Sequence, residues 1–192
     1  MARKIGAKHK LCRRIGEKLC SSAKCPVLRR NYPPGIHGPK GKAKLTEYGT
    51  QLQEKQKAKF VYGMLEKQFK RCYMRAVKKT GDTSVYLAQY LERRLDNVLY
   101  RLGLAQTRAQ ARQYVVHGNV QVNGRRLDRP SYEVAINDVV RVMQAREIEK
   151  REIPAWLSLD EKEKTGKVLS APAVDKLPER LSLRLIIEFY SR

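Results

Sequence analysis

A chain of 192 residues can bury one good core, or divide into one compact domain with appendages, and does not depend on disulfide staples. Lys and Arg number 41 against 19 Asp and Glu, a formal net charge of +22, which calls for a polyanionic partner. No run of about 18 uncharged apolar residues occurs and the basic MARKIGAKHK start carries no secretory signal, so a cytosolic protein without a membrane segment is expected.

Residues 1–45 hold thirteen basic residues and one acidic residue, and read as a basic arm. Inside it, HKLCRRIGEKLCSSAKC groups His9, Cys12, Cys20 and Cys25. In a reducing compartment such clustered cysteines are more often metal ligands or redox groups than disulfides; a chance cluster in a loose arm stays open at this point. The following RRNYPPGIHGPKGKAK has prolines and glycines that forbid a long helix and charges that resist burial. An anionic membrane would attract the same charge, but the arm shows no amphipathic helix with a strongly apolar face, so nucleic acid is the expected partner.

Residues 46–90 read as a helical domain. The stretch from Thr46 to Lys79 is rich in helix formers, with Thr46 as its first cap. Leu65, Phe69, Cys72, Met74 and Ala76 include helical spacings, which predicts that Cys72 is a small core residue and not a metal ligand.

Residues 91–146 are the most informative. Leu95, Val98, Leu99 and Leu102 fall at i, i+3, i+4 and i+7, the pattern of one buried helix face, and Gly103 stops that helix. Thr107 with Gln110 makes a capping box for a second helix, which Gly118 ends. Val120 and Val122 then alternate into Asn123-Gly124, a strong two-residue hairpin signal, and further short strands are expected around SYEVAI and DVVRV. Residues 93–146 contain ten Arg and no Lys; a guanidinium can fork two hydrogen bonds onto one phosphate, so fixed contacts are expected here. Arg108 and Arg112, four apart, share a helix face. His117, at the helix end, has three candidate roles: stacking on a base, donating to phosphate, or capping the terminus. Residues 147–192 are balanced at nine basic and nine acidic, and their apolar LIIEFY suits packing on the rest of the protein or a neighbour.

RRLDNVLYRLG, TRAQARQYVVHGNVQVNGRR and PSY resemble the RNA-binding module of small-subunit ribosomal protein four, which also occurs in some RNA-modifying enzymes and tRNA synthetases. YPPGIHG, LQEKQKAKFVYG, LERRLDNV, PAWLSLD and the terminal LIIEFYSR extend the resemblance to that ribosomal family in order, across nearly the whole chain. It implies an α+β fold: a basic zinc-binding arm, a helical domain, and a module of two helices with a small antiparallel sheet.

The same resemblance implies a non-enzymatic constituent of the small ribosomal subunit in the cytoplasm. Such a protein is a primary ribosomal RNA binder that nucleates assembly of the subunit body. It contacts neighbouring ribosomal proteins, lies at the messenger-RNA entrance channel and affects decoding accuracy, with no membrane and no small-molecule substrate. Some bacterial members carry four N-terminal cysteines on zinc. Here His9 stands at the first position, followed by Cys12, Cys20 and Cys25 with two, seven and four residues between. Cys₃His is a sound tetrahedral zinc set. The expected RNA contacts in the arm are Arg13, Arg14, Arg29 and Arg30, with Lys40, Lys42 and Lys44 in the region matching the entrance channel, and Lys55 beyond it. In the module they are Arg93, Arg94, Arg108, Arg112, His117, Asn123, Arg125 and Arg126.

Two other readings carry less. The module also precedes catalytic domains in pseudouridine synthases, and GRRLD resembles their Arg-Leu-Asp stretch. However, Asp128 follows directly on the hairpin, and the 64 residues after it leave little room for a catalytic domain. A helix-turn-helix DNA binder would also join two helices by a short Gly-containing turn, but the basic arm, the hairpin and the ordered motifs weigh against it.

Overall fold

The computed structural model describes residues 6–20, 22–41, 44–143, 151–173 and 181–192. Along them run the helices α1 (Lys8–Ile15), α2 (Glu47–Val61), α3 (Glu66–Val77), α4 (Thr83–Glu92), α5 (Leu95–Arg101), α6 (Arg108–Val116) and α7 (Leu183–Ser191). The strands are β1 (Val120–Val122), β2 (Arg125–Arg126), β3 (Val139–Val142), β4 (Leu157–Asp160) and β5 (Thr165–Val168). The chain forms two units: Met1–Lys78 with Pro178–Arg192, and Lys79–Leu177.

In the first unit, Thr46 caps α2 by accepting the Gly49 N–H on its Oγ1 at 3.1 Å, as its sequence position predicts. The predicted helical stretch is two helices, because Gly63 adopts φ +61° and breaks the run after Val61. On α3 the buried stripe is Phe69, Tyr73 and Ala76, spaced i, i+4 and i+7. Met74 sits one position out of phase and is 52% exposed, and Cys72, expected in the core, is only half-buried. α7 returns to pack on α2 and α3. Leu183 and Ile186 are buried, the Tyr73 and Tyr190 rings stack at 4.7 Å, and the Tyr48 and Phe189 rings lie 5.6 Å apart.

In the second unit, Leu95, Val98, Leu99 and Leu102 are all buried against Ala111 and Val115 of α6 and the inner face of the sheet. Thr107 Oγ1 accepts the Gln110 N–H at 3.1 Å, while the Gln110 side chain reaches back to the Gln106 N–H at 2.8 Å, one residue before the cap. Asn123 (φ +50°) and Gly124 (φ +77°) are both left-handed, which is what a two-residue turn needs to match strand twist.

The antiparallel sheet runs β2-β1-β3-β5-β4. Val120 opposes Val142 and Val122 opposes Val140, so each pair projects to the core. SYEVAI, expected as a strand, contributes a single bridge between Glu133 and Arg94. Its backbone is taken by the α4–α5 corner, with the Val134 N–H donating to the Arg93 carbonyl at 2.9 Å. The sheet is completed by β4 and β5, from the segment whose charge is neutral. Gly166 of β5 lies under Leu102, where a Cβ would overlap the Leu102 side chain. The neutral stretch is therefore divided: part belongs to this sheet, and α7 belongs to the first unit.

Candidate nucleic-acid interface and metal centre

His9 and Cys12 lie three residues apart, on adjoining turns of α1, which Gly16 ends in the left-handed region (φ +88°) with its N–H on the Cys12 carbonyl. The chain then returns so that Cys20 and Cys25 face them, and Pro26–Leu28 closes as a 3₁₀ turn directly after Cys25. The four candidate ligand atoms all lie within 4.8 Å of one another, with Cys20 Sγ 3.5 Å from His9 Nδ1.

Cys12 and Cys25 are buried against Val27, Leu19 and Phe60. Burial, then the Cys25 thiol, push the Cys20 thiol up to about 11. Burial would raise Cys25 as well, but hydrogen bonds from the Val27 amide and from the Cys20 and Cys12 thiols bring it below its usual value. Zinc–sulfur bonds of about 2.3 Å in a tetrahedron place ligand atoms roughly 3.8 Å apart, so this group needs only a small contraction to close on a metal. All four cysteines are free thiols. Among the described residues only His9, Cys12, Cys20 and Cys25 form such a group, and Cys72 stands outside it.

The expected contacts of the arm divide into braces and exposed cations. Arg13 donates Nε to the Tyr32 carbonyl and Nη2 to the Pro33 carbonyl, both at 3.2 Å, and its guanidinium lies 4.9 Å from the Tyr32 ring centroid. It fastens the YPPGIHG loop to α1. Gly38 is packed so closely on that loop that a Cβ would overlap the Pro33 carbonyl oxygen. Arg14, Arg29, Arg30, Lys40 and Lys44 are exposed, and Lys42 lies outside the described residues. Lys55 is corrected: it is buried, with Nζ 3.1 Å from Glu66 Oε1 and 4.1 Å from the Phe189 ring centroid, so it is committed to the helical core.

In the second unit an acid and amide network organises the arginines. Arg94 is buried and donates Nε and Nη2 to the two carboxylate oxygens of Asp96 at 3.0 and 2.7 Å. Its expected RNA contact is therefore corrected to an internal fork. Arg101 makes the equivalent fork on Glu92 at 3.0 and 2.8 Å, and Asn97 Nδ2 donates to the same carboxylate at 2.9 Å. Asn97 Oδ1 in turn accepts from Arg108 Nε at 2.9 Å.

Arg112 reaches Asp96 at 3.7 Å; desolvation lowers its guanidinium from its ordinary value and Asp96 opposes the shift. Arg108 and Arg112 are half-buried, and Arg93 donates Nε to the Val134 carbonyl at 2.8 Å. Asn123 is an exposed turn residue: its side chain donates to Asp138 at 2.8 Å and accepts the Val139 N–H at 2.9 Å. His117 is exposed at the end of α6, and its carbonyl accepts from Arg126 Nη2 at 3.2 Å. Arg125 and Arg126 are exposed on β2.

Sequence reasoning missed Glu92, Asp96 and Asn97 as organisers, although the last two stand in LDNV beside the apolar positions of α5. It also missed Arg151, whose guanidinium lies 4.1 Å from the Tyr100 ring centroid and donates to the Gln106 carbonyl at 2.6 Å.

The sequence matches the Ribosomal protein S4/S9 N-terminal domain family over residues 3–92 and the S4 domain family over residues 93–140. It is 48% identical to the small ribosomal subunit protein uS4 of Dictyoglomus turgidum, with 100% of both chains covered. The uS4 proteins of Acetivibrio thermocellus and Gloeobacter violaceus are 47% and 44% identical, again over 100% of each chain. Similarity at this level over whole chains, on a fold that carries the module's two helices, hairpin and sheet, shows that the chain belongs to the uS4 family of small ribosomal subunit proteins.

Proposed function

We propose that this chain is a structural constituent of the cytoplasmic small ribosomal subunit, binds its ribosomal RNA directly and catalyses no reaction. The observation that carries this reading is the pair Arg108 and Arg112 on α6, held by Asn97 and Asp96 in a protein of net charge +22. Phosphate contacts supply most of the affinity in such an interface, while a rigid array accepts only the RNA fold that presents phosphates at matching positions. Binding is tested with full-length protein at matched salt. Small-subunit ribosomal RNA should be preferred to duplex DNA, and equal affinity for the two would favour the DNA-binding alternative.

In this reading the protein binds early, nucleating the body of the subunit, and contacts neighbouring ribosomal proteins. Exposed Lys40 and Lys44, beside the braced loop, support a position at the messenger-RNA entrance channel and an effect on decoding accuracy. Charge-neutralising substitutions at these lysines should alter misreading without displacing the protein from the subunit; unchanged misreading would remove that part of the proposal.

His9, Cys12, Cys20 and Cys25 fit structural zinc: three sulfurs and an imidazole fill a tetrahedron and leave no position open to substrate. When bound, zinc would cross-link α1 to the loop that follows it. The residues themselves keep water from two of the ligands, since Cys12 and Cys25 are buried under Val27, Leu19 and Phe60.

A further inference from the structure

Tyr100 is half-buried on α5, and two guanidinium groups lie over its ring: Arg108 at 4.4 Å and Arg151 at 4.1 Å from the centroid. The two cations come from distant parts of the chain and are each fixed by a further bond. Arg108 donates Nε to Asn97 Oδ1 at 2.9 Å, while Arg151 donates Nη2 to the Gln106 carbonyl at 2.6 Å and Nη1 to the Tyr100 carbonyl at 3.4 Å. Arg151 lies outside the matched S4 domain, which ends at residue 140. A free arginine side chain must surrender rotamer entropy to bind, and here stacking and hydrogen bonding remove much of that freedom before any ligand arrives. Two guanidinium groups on one ring also repel each other, and a nearby anion relieves that repulsion.

We propose that Tyr100, buttressed by Arg151, is a positioning residue for RNA recognition that fixes Arg108 in the orientation from which it meets backbone phosphate. The inference rests on the RNA-binding reading above. The ring face matters here and the hydroxyl does not, so phenylalanine should substitute for tyrosine and an aliphatic residue should not. The effect belongs to discrimination between RNA folds rather than to total charge, because a misoriented arginine still attracts any polyanion.

The test uses full-length protein, a small-subunit ribosomal RNA transcript and a scrambled transcript of equal length, over several salt concentrations. Tyr100→Phe should bind both within about twofold of the unmodified protein, since the cation–π face is kept. Tyr100→Leu should weaken binding to the ribosomal transcript roughly threefold to tenfold and to the scrambled one far less, with the salt slope unchanged because no charge is lost. Arg151→Lys keeps the ring and the charge but loses the planar buttress. It should lower discrimination in the same direction, and decides the matter if Tyr100→Leu does not fold. Undiminished discrimination in Tyr100→Leu or Arg151→Lys, or an equal loss in Tyr100→Phe and Tyr100→Leu, overturns the proposal. Failure of the unmodified protein to tell the transcripts apart overturns the functional reading itself.

Discussion

The Tyr190 hydroxyl donates to Glu66 Oε1 at 2.6 Å and so ties the C-terminal helix α7 to the first turn of α3. Lys55 and Lys59 reach the same carboxylate at 3.1 and 2.6 Å. Burial alone would raise the Glu66 carboxyl, but hydrogen bonds from Lys59, Tyr190 and Lys55 hold it at about 2, below its ordinary 4.5. Burial and the bond to Glu66 in turn raise the Tyr190 phenol.

A group whose pKa is depressed on folding contributes stability that is complete above its unfolded value and is lost as pH falls through its folded one. The Glu66 contribution should therefore be intact above pH 4.5 and disappear on acidification toward about pH 2. Thermal midpoints measured across that window should fall less steeply in Glu66→Gln than in the unmodified protein. At neutral pH, Tyr190→Phe should cost about 1.5–3 kcal/mol, the usual scale for a hydrogen bond to a charged group. A pH profile unaltered by Glu66→Gln would remove the carboxylate from the clamp.

Asp96 should be among the costliest single sites in the second unit. It holds the buried Arg94 in a two-bond fork and lies 3.7 Å from Arg112. Asp96→Asn keeps the shape but leaves a buried cation without its carboxylate, a change that typically costs about 3–5 kcal/mol. Denaturant unfolding of Asp96→Asn should show that loss, and the double variant Arg94→Met with Asp96→Leu should recover most of it. A single variant within about 0.5 kcal/mol of the unmodified protein would mean that the fork is strongly hydrated.

The metal proposal makes a separable demand. Purified protein should carry one zinc per chain; Cys20→Ser should lose it and Cys72→Ser should retain it, read by metal content. Structural zinc in small peptides contributes about 10–16 kcal/mol, ample to hold an arm whose buried apolar residues, among those described, are Cys12, Ile15, Cys25 and Val27. Zinc retained at full stoichiometry after Cys12 and Cys20 are both replaced would reject the site.

Local signals in the sequence predicted local structure well, because a cap or a tight turn is decided within a few residues. Thr46, Thr107 and the Asn123-Gly124 turn all act where the sequence places them. The apolar stripe of α5 was legible for the same reason. What could not be read locally were partners chosen across long separations. TGKV offers too little alternation to announce β5, which is recruited because Gly166 fits under Leu102. Lys55 and Arg94 looked like RNA contacts by charge alone. Their burial depends on Glu66 from another helix and on an Asp96 that a charge count treats as a diluent. Arg151 was invisible because its role is set by Tyr100, fifty-one residues earlier.

The exposed cations of the arm should supply affinity while Arg108 and Arg112 of α6 supply discrimination. Deleting residues 1–45 is a poor test of this division. Cys12, Cys25 and Val27 share a cluster with Phe60 of α2, and Glu17 lies 2.7 Å from the buried Lys57, so truncation would open the first unit. Replacing Arg14, Arg29, Arg30 and Lys40 with Gln removes four exposed charges and leaves Arg13, the loop brace, in place. Each phosphate neutralised contributes roughly 0.7 to 0.9 to the slope of log affinity against log salt, so the variant should bind more weakly with a slope shallower by up to about 3.6. Its preference for small-subunit ribosomal RNA over a scrambled transcript should change much less than its total affinity. The converse holds for Arg112→Lys, which keeps the charge and loses the fork: slope preserved, preference reduced. If the four-site variant loses preference while its slope stays as it was, the arm is the specific reader and the α6 pair a source of general attraction.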